Sequence, residues 1–183
     1  RKSDGGIMVS QPATLRTDRL TLRPLDQADA RILHRIYQTE GVLRYFPNPI
    51  PPALERVERF IREQHSHWEQ HGYGNWGILP DGEDDIIGWV GLQFLPELNE
   101  TEVGFLLDRP YWGKGYATEA ALASLKFGFE RVTLKYIIAL VHPENMASIR
   151  VIEKCGIHFV DSLKLWEIEL RRYRIEKATL LKT

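Results

Sequence analysis

The chain carries a single cysteine, Cys155, among its 183 residues, so no intramolecular disulfide can form. It has no apolar run approaching the roughly 18 residues of a membrane-spanning helix. It also lacks an excess of either charge: 24 basic against 25 acidic side chains leave a formal net charge of -1. A nucleic-acid backbone or an anionic membrane therefore finds no electrostatic footprint. There is no internal repeat, low-complexity tract or interdomain linker. These absences argue against a disulfide-stapled scaffold, a membrane span and a polyanion binder, and they point to a reducing cytoplasm.

What remains is a length suited to one domain with a sizeable core. The opening Arg1–Ile7 has no apolar segment and precedes Met8. Residues 1–8 are read as an expression remnant or disordered N-terminus, and 9–183 as one domain. Alternation in Leu20-Thr21-Leu22-Arg23 predicts a strand stopped by Pro24, after which Asp26 caps a helix ending near Gly41. The prolines between Phe46 and Pro52 hold a loop, and Ala53 to His71 reads as a helix stopped by Gly72. Trp76–Leu79, Ile86–Phe94 and Glu102–Leu107 then form an antiparallel meander. A helix running through Phe129 leads to the apolar strand Tyr136–Val141, which implies a right-handed parallel crossover. A shorter helix spans Asn145 to Cys155. Two terminal strands fill Phe159 to Leu181, with no Gly or Asn-Gly turn between them.

The most informative segment is Trp112-Gly113-Lys114-Gly115-Tyr116-Ala117-Thr118, between an apolar strand and an amphipathic helix. Two glycines one residue apart let successive N–H groups converge, and the helix behind them adds partial positive charge. This describes an anion cradle; the bland alternative is a tight turn. Gly113-Lys114-Gly115 lacks the longer spacing and Lys-Ser/Thr pair of a P-loop.

The order of elements, together with Arg19–Pro24, Glu102–Phe105, Tyr111–Ala120 and Asn145–Gly156, resembles the GNAT superfamily of acetyl-CoA-dependent N-acetyltransferases, in its ribosomal-protein N-acetyltransferase-like branch. The resemblance covers the chain from about Leu15 to its end. It implies an α/β (α+β) fold, with about seven strands in a twisted, mixed, mostly antiparallel sheet, one splayed parallel pair and helices on both faces. It also implies acetyl-CoA as cosubstrate, with the diphosphate on Gly113, Lys114, Gly115, Tyr116, Ala117 and Thr118. Trp112 stands where the family has Gln or Arg. Phe105, Leu106 and Leu107 would hold the pantetheine arm by their backbone.

For chemistry, the resemblance points to Glu102 as base, directly or through water, against the alternative of an exposed strand carboxylate. The tyrosine that often protonates the departing sulfur is replaced by Ile152, and Ser148 is the candidate in its place. Asn145 would contact the cofactor, cap its helix, or both. The acceptor would be a primary amine, either a protein N-terminal α-amine or a small molecule. The competing class is a non-catalytic acyl-CoA-binding regulatory module. No nucleic-acid or membrane partner is expected, and a homodimer is compatible with the reading.

Four further groups of side chains invite a functional reading and are given a structural one. Cys155 is expected to be a buried core thiol. His65, His67 and His71 are read as a solvated helix face without a metal, because Glu69 has the wrong offset for His-Glu-x-x-His. Trp76 and Trp89 are read as core. Tyr45 and Phe46 are read as packing residues, with an aromatic wall on the acceptor side as the alternative.

Overall fold

The computed structural model describes residues 12–180. Its strands are β1 (Leu15–Arg16), β2 (Leu20–Pro24), β3 (Asn75–Pro80), β4 (Gly88–Leu95), β5 (Glu100–Leu107), β6 (Tyr136–Val141), β7 (His158–Leu165) and β8 (Ile168–Glu176). They form one sheet in the order β1-β2-β3-β4-β5-β6-β8-β7, antiparallel throughout except for the β5–β6 pair. The helices are α1 (Ala30–Gln38), α2 (Leu54–His71), α3 (Tyr116–Glu130), α4 (Met146–Lys154) and α5 (Lys177–Leu180). The eighth strand, beyond the seven expected, is β1, whose two residues are too few to show a period.

Local chemistry sets the element ends. The Asp26 side chain accepts from Ala28 N–H while the Asp29 carboxylate accepts from Asp26 N–H, a capping box that opens the 3-10 turn Gln27–Asp29 leading into α1. Gly72 ends α2 in the left-handed conformation, φ 75°.

Side chains of β5 divide the core between the two faces of the sheet. Val103 and Leu107 join α3, α4 and the strand residues Trp76 and Tyr173 in one cluster; Leu106 joins Leu33, Ile36, Val57 and Ile61 of α1 and α2 in the other. Glu102 and Gly104 share the parity of Leu106, and so project toward the α1–α2 face.

The terminal hairpin turns on Trp166 (φ 50°) and Glu167 (φ 65°), both in the left-handed region that a type I′ turn requires. That conformation is normally signalled by Gly or Asn. Here the Trp166 indole N–H donates to Glu97 Oε1 at 3.2 Å, a tertiary bond that no local pattern announces. β8 stops at Glu176 and gives way to α5, so the last strand is shorter than the expected run to Leu181, which itself lies outside the described residues. The expectation for residues 1–8 lies outside them as well.

Candidate active site

Asp108, buried at the end of β5, accepts from Arg109 N–H and from the Arg35 guanidinium at 2.9 Å, which fixes the turn into the glycine segment. Gly113 (φ 73°) and Gly115 (φ 80°) are both left-handed. The first backbone bond of α3 runs from Glu119 N–H to Gly115 O. Among the described residues, the N–H groups of Gly113, Lys114, Gly115, Tyr116, Ala117 and Thr118 therefore have no acceptor. Six consecutive unpaired donors at a helix start are a cradle suited to a diphosphate.

The cradle is braced by groups distant in sequence. The Glu119 carboxylate accepts from Thr17 Oγ1 (2.7 Å), Arg19 N–H (2.8 Å) and Arg19 Nε (2.8 Å), and Arg19 Nη1 donates to Lys114 O at 2.9 Å. Trp112 faces away from this brace. The residue is exposed and its indole N–H donates to Leu107 O at 2.9 Å, so its side chain adds no donor to the cradle.

The β5–β6 ladder consists of one register pair, Glu102 with Ile138. Past that rung the strands part, and a cavity of about 900 Å³ opens, with Gly104 and Phe105 of β5 on one side and Leu140 and Val141 of β6 on the other. Glu102, half-buried, stands in its wall at the rung. Withdrawal from water, with the charge of Glu97 adding to it, pushes the Glu102 carboxyl up from 4.5 to about 8.

A chain of amides reaches the same point. Asn75 N–H donates to Gln64 Oε1 at 2.9 Å, and because a backbone N–H can only donate, the orientation of that amide is fixed. Gln64 Nε2 then donates to Gln93 Oε1 at 3.1 Å. The Nε2 donors of Gln93 are left without a protein acceptor among the described residues, on the residue paired directly with Glu102 across β4–β5. Gln64 and Gln93 both line the cavity. Sequence reasoning missed both, and nothing local marks them.

On the far wall, Asn145 Oδ1 accepts from Ser148 N–H at 3.2 Å and caps α4, the helix-capping alternative, while both residues still line the cavity. Glu102, Phe105, Asn145 and Ser148 thus meet at one cavity. The cradle residues, and Leu106 and Leu107, do not line it. The carbonyl of Leu107 is already engaged by Trp112.

Two side expectations are corrected. His67 is not on a solvated face: it is buried, its Nδ1–H donates to Tyr73 O at 2.7 Å and its Nε2 accepts from Phe94 N–H at 3.1 Å. Those partners hold it in one neutral tautomer, and burial lowers its pKa. His65 likewise bonds Leu25 O at 2.7 Å. Trp89 is partly exposed and lines the cavity beside Phe46 and Phe60, with its N–H donated to Tyr37 Oη at 3.0 Å; Tyr45 and Phe46 belong to the same wall. Cys155 is a buried thiol, pushed up to about 12 by burial. Among the described residues no group of three or more His, Cys, Asp or Glu side chains is placed to hold a metal ion, and no helix is long and apolar enough to cross a membrane.

A meander joined to one splayed parallel pair, with a backbone anion cradle behind it, defines a class of acyl-CoA-dependent transferases. Residues 19–158 match the acetyltransferase (GNAT) domain family, and the chain belongs to that family of acetyl-CoA-using N-acetyltransferases. It is 33% identical to the uncharacterized N-acetyltransferase p20 of Bacillus licheniformis, over 84% of this chain and 87% of that protein. It is 29% identical to spermidine N(1)-acetyltransferase of Escherichia coli K12, over 74% of this chain and 70% of that protein. Its fold matches that of RimL, a ribosomal L7/L12 α-N-protein acetyltransferase solved with coenzyme A, with a TM-score of 0.77 at 16% identity, covering 90% of this chain and 98% of the other.

Proposed function

We propose that the protein transfers the acetyl group of acetyl-CoA directly to a primary amine, with Glu102 taking the amine's proton, directly or through water. The observation that carries this is a half-buried carboxyl, raised to about 8, at the single rung where the parallel strands part. An alkylammonium ion with a pKa of about 10 must lose a proton before it can attack, and a base that titrates near the working pH combines availability with driving force. The free Nε2 donors of Gln93 suit an ordered water beside that carboxylate.

Acetyl-CoA supplies the activated acyl group as a thioester. The residues present fit it: the N–H groups of Gly113 to Thr118 would hold its diphosphate, and the backbone of Phe105 to Leu107 its amide-rich arm. Trp112 bounds this seat without donating to it. Ser148 lines the same cavity, and its Oγ would hydrogen-bond the sulfur; Asn145 positions Ser148 through its backbone N–H. The whole of 9–183 would act as one catalytic domain.

The test is thiol release from acetyl-CoA across small amines and N-terminal peptides, with acetylation of the amine confirmed by mass. Amine-dependent thiol release is expected. Its absence with every amine, in protein that binds coenzyme A by calorimetry, would leave only the non-catalytic binding module.

A further inference from the structure

The cavity wall contributed by α2 is charged in a way the cofactor does not require. Arg56, Arg59 and Arg62 follow one another at three-residue spacing and all line the cavity. Arg56 is offset by Glu63 at 3.1 Å, whereas Arg59 and Arg62 have no ion pair or hydrogen bond with any described residue. The carboxylates in the lining are Glu63, already engaged, and Glu102, which burial holds toward its neutral form. Two guanidiniums without an ion pair, on the exposed rows of α2, thus line the cavity. The diphosphate cradle is elsewhere, at the start of α3, and none of its residues lines this cavity. Phe60, on the same helix, joins Phe46 and Trp89 as an apolar cluster in the lining of the same cavity.

We propose that the acceptor is a primary amine that also bears a carboxylate or phosphate, and that Arg59 and Arg62 select it by pairing with that anion. This rests on the amine acetylation proposed above. Guanidinium forks match carboxylate and phosphate oxygens bidentately, so they orient the acceptor as well as attract it. The same charges repel a polyamine, which would separate this chain from the spermidine-acetylating relative.

The test measures kcat/KM by thiol release for matched acceptor pairs. One pair is aspartate and its diamide; the other is a peptide with acidic second and third residues and its amide isostere. Spermidine serves as a cationic acceptor. The anionic member of a pair should be favoured by about tenfold at low ionic strength, with the ratio falling toward one at about 0.5 M salt. Preference confined to the free amino acid or to the peptide identifies the source of the anion. R59Q/R62Q should bring the ratio to about one, and R59E/R62E should invert it. Acetyl-CoA affinity by calorimetry should stay unchanged in both, which also reports that the variants fold.

A wild-type ratio of one, a preference for spermidine, or a ratio that both variants leave intact overturns the acceptor assignment while acetyl transfer to amines stands. No thiol release with any amine overturns both readings together.

Discussion

Replacing Glu102 by glutamine tests the site through stability and catalysis at once. The folded carboxyl titrates at about 8 and its ordinary value is 4.5, so the native state holds the proton that the unfolded chain has released. The sign follows from proton counts: between those two pH values the native state binds more protons, so folding stability falls as pH rises and levels off above about 8. The slope is at most about 1.4 kcal/mol per pH unit, giving an upper bound of about 5 kcal/mol. Solvent reaching the half-buried group through the open cavity reduces this to the order of 2–4 kcal/mol. Glutamine keeps the shape without the charge. In urea denaturation, Glu102→Gln should match the parent at about pH 5 and exceed its stability by that amount at about pH 9. A difference that does not change with pH would refute the placement of the carboxyl. Kinetically, log kcat/KM should show a limb near pH 8 that persists for acceptors with ammonium pKa values of about 8 and about 10, and that glutamine abolishes. A limb that moves wholly with the acceptor would remove Glu102 from the base role.

Three further substitutions test the supports. Gly115→Ala forces a Cβ onto a φ of 80° and within 3.3 Å of Arg19 Nη2; we expect a loss of about 1 kcal/mol in thermal unfolding and a several-fold rise in the KM for acetyl-CoA. Glu119→Ala removes the acceptor of Thr17 and Arg19, and should raise that KM about five- to tenfold with little change in kcat; a fall in kcat alone would argue against a role in binding. Gln64→Leu leaves Asn75 N–H and Gln93 Oε1 without partners. It should cost about 2 kcal/mol in urea denaturation, and a neutral result would mean that the amide chain is not structural.

The parts of the fold legible in the sequence are those whose cause is local. The period of Leu54 to His71, the stop at Gly72 and the glycine pair before α3 are short-range patterns, and each element stands where its pattern predicts. The turn at Trp166-Glu167 was not legible, because its left-handed residues carry no glycine signature and the indole bond goes to Glu97 in another strand connection. The brace on the cradle pairs Arg19 with Glu119, a hundred residues apart. The single rung of β5–β6 depends on how two strands diverge, which neither strand encodes alone.

That His67 of α2 lies against the sheet and not in solvent has one physical origin. β3 and β4 pair only over Asn75–Gly77 and Trp89–Gly91, so β4 outruns its neighbour by four residues. A buried strand edge without a partner strand must find its hydrogen bonds elsewhere. Leu92 N–H takes Gly74 O, and α2 supplies the next acceptor, His67 Nε2 for Phe94 N–H. Polar residues on the inward side of α2 therefore complete the sheet, although in the sequence they read as a wet face. The same unpaired stretch carries Gln93, and Gln64 reaches it from α2. The strand mismatch thus brings a polar helix face against the sheet beside Glu102. Gln64, which satisfies Asn75 N–H, also holds Gln93 with its free Nε2 donors beside Glu102, while the outer rows of the same helix leave Arg59 and Arg62 lining the cavity.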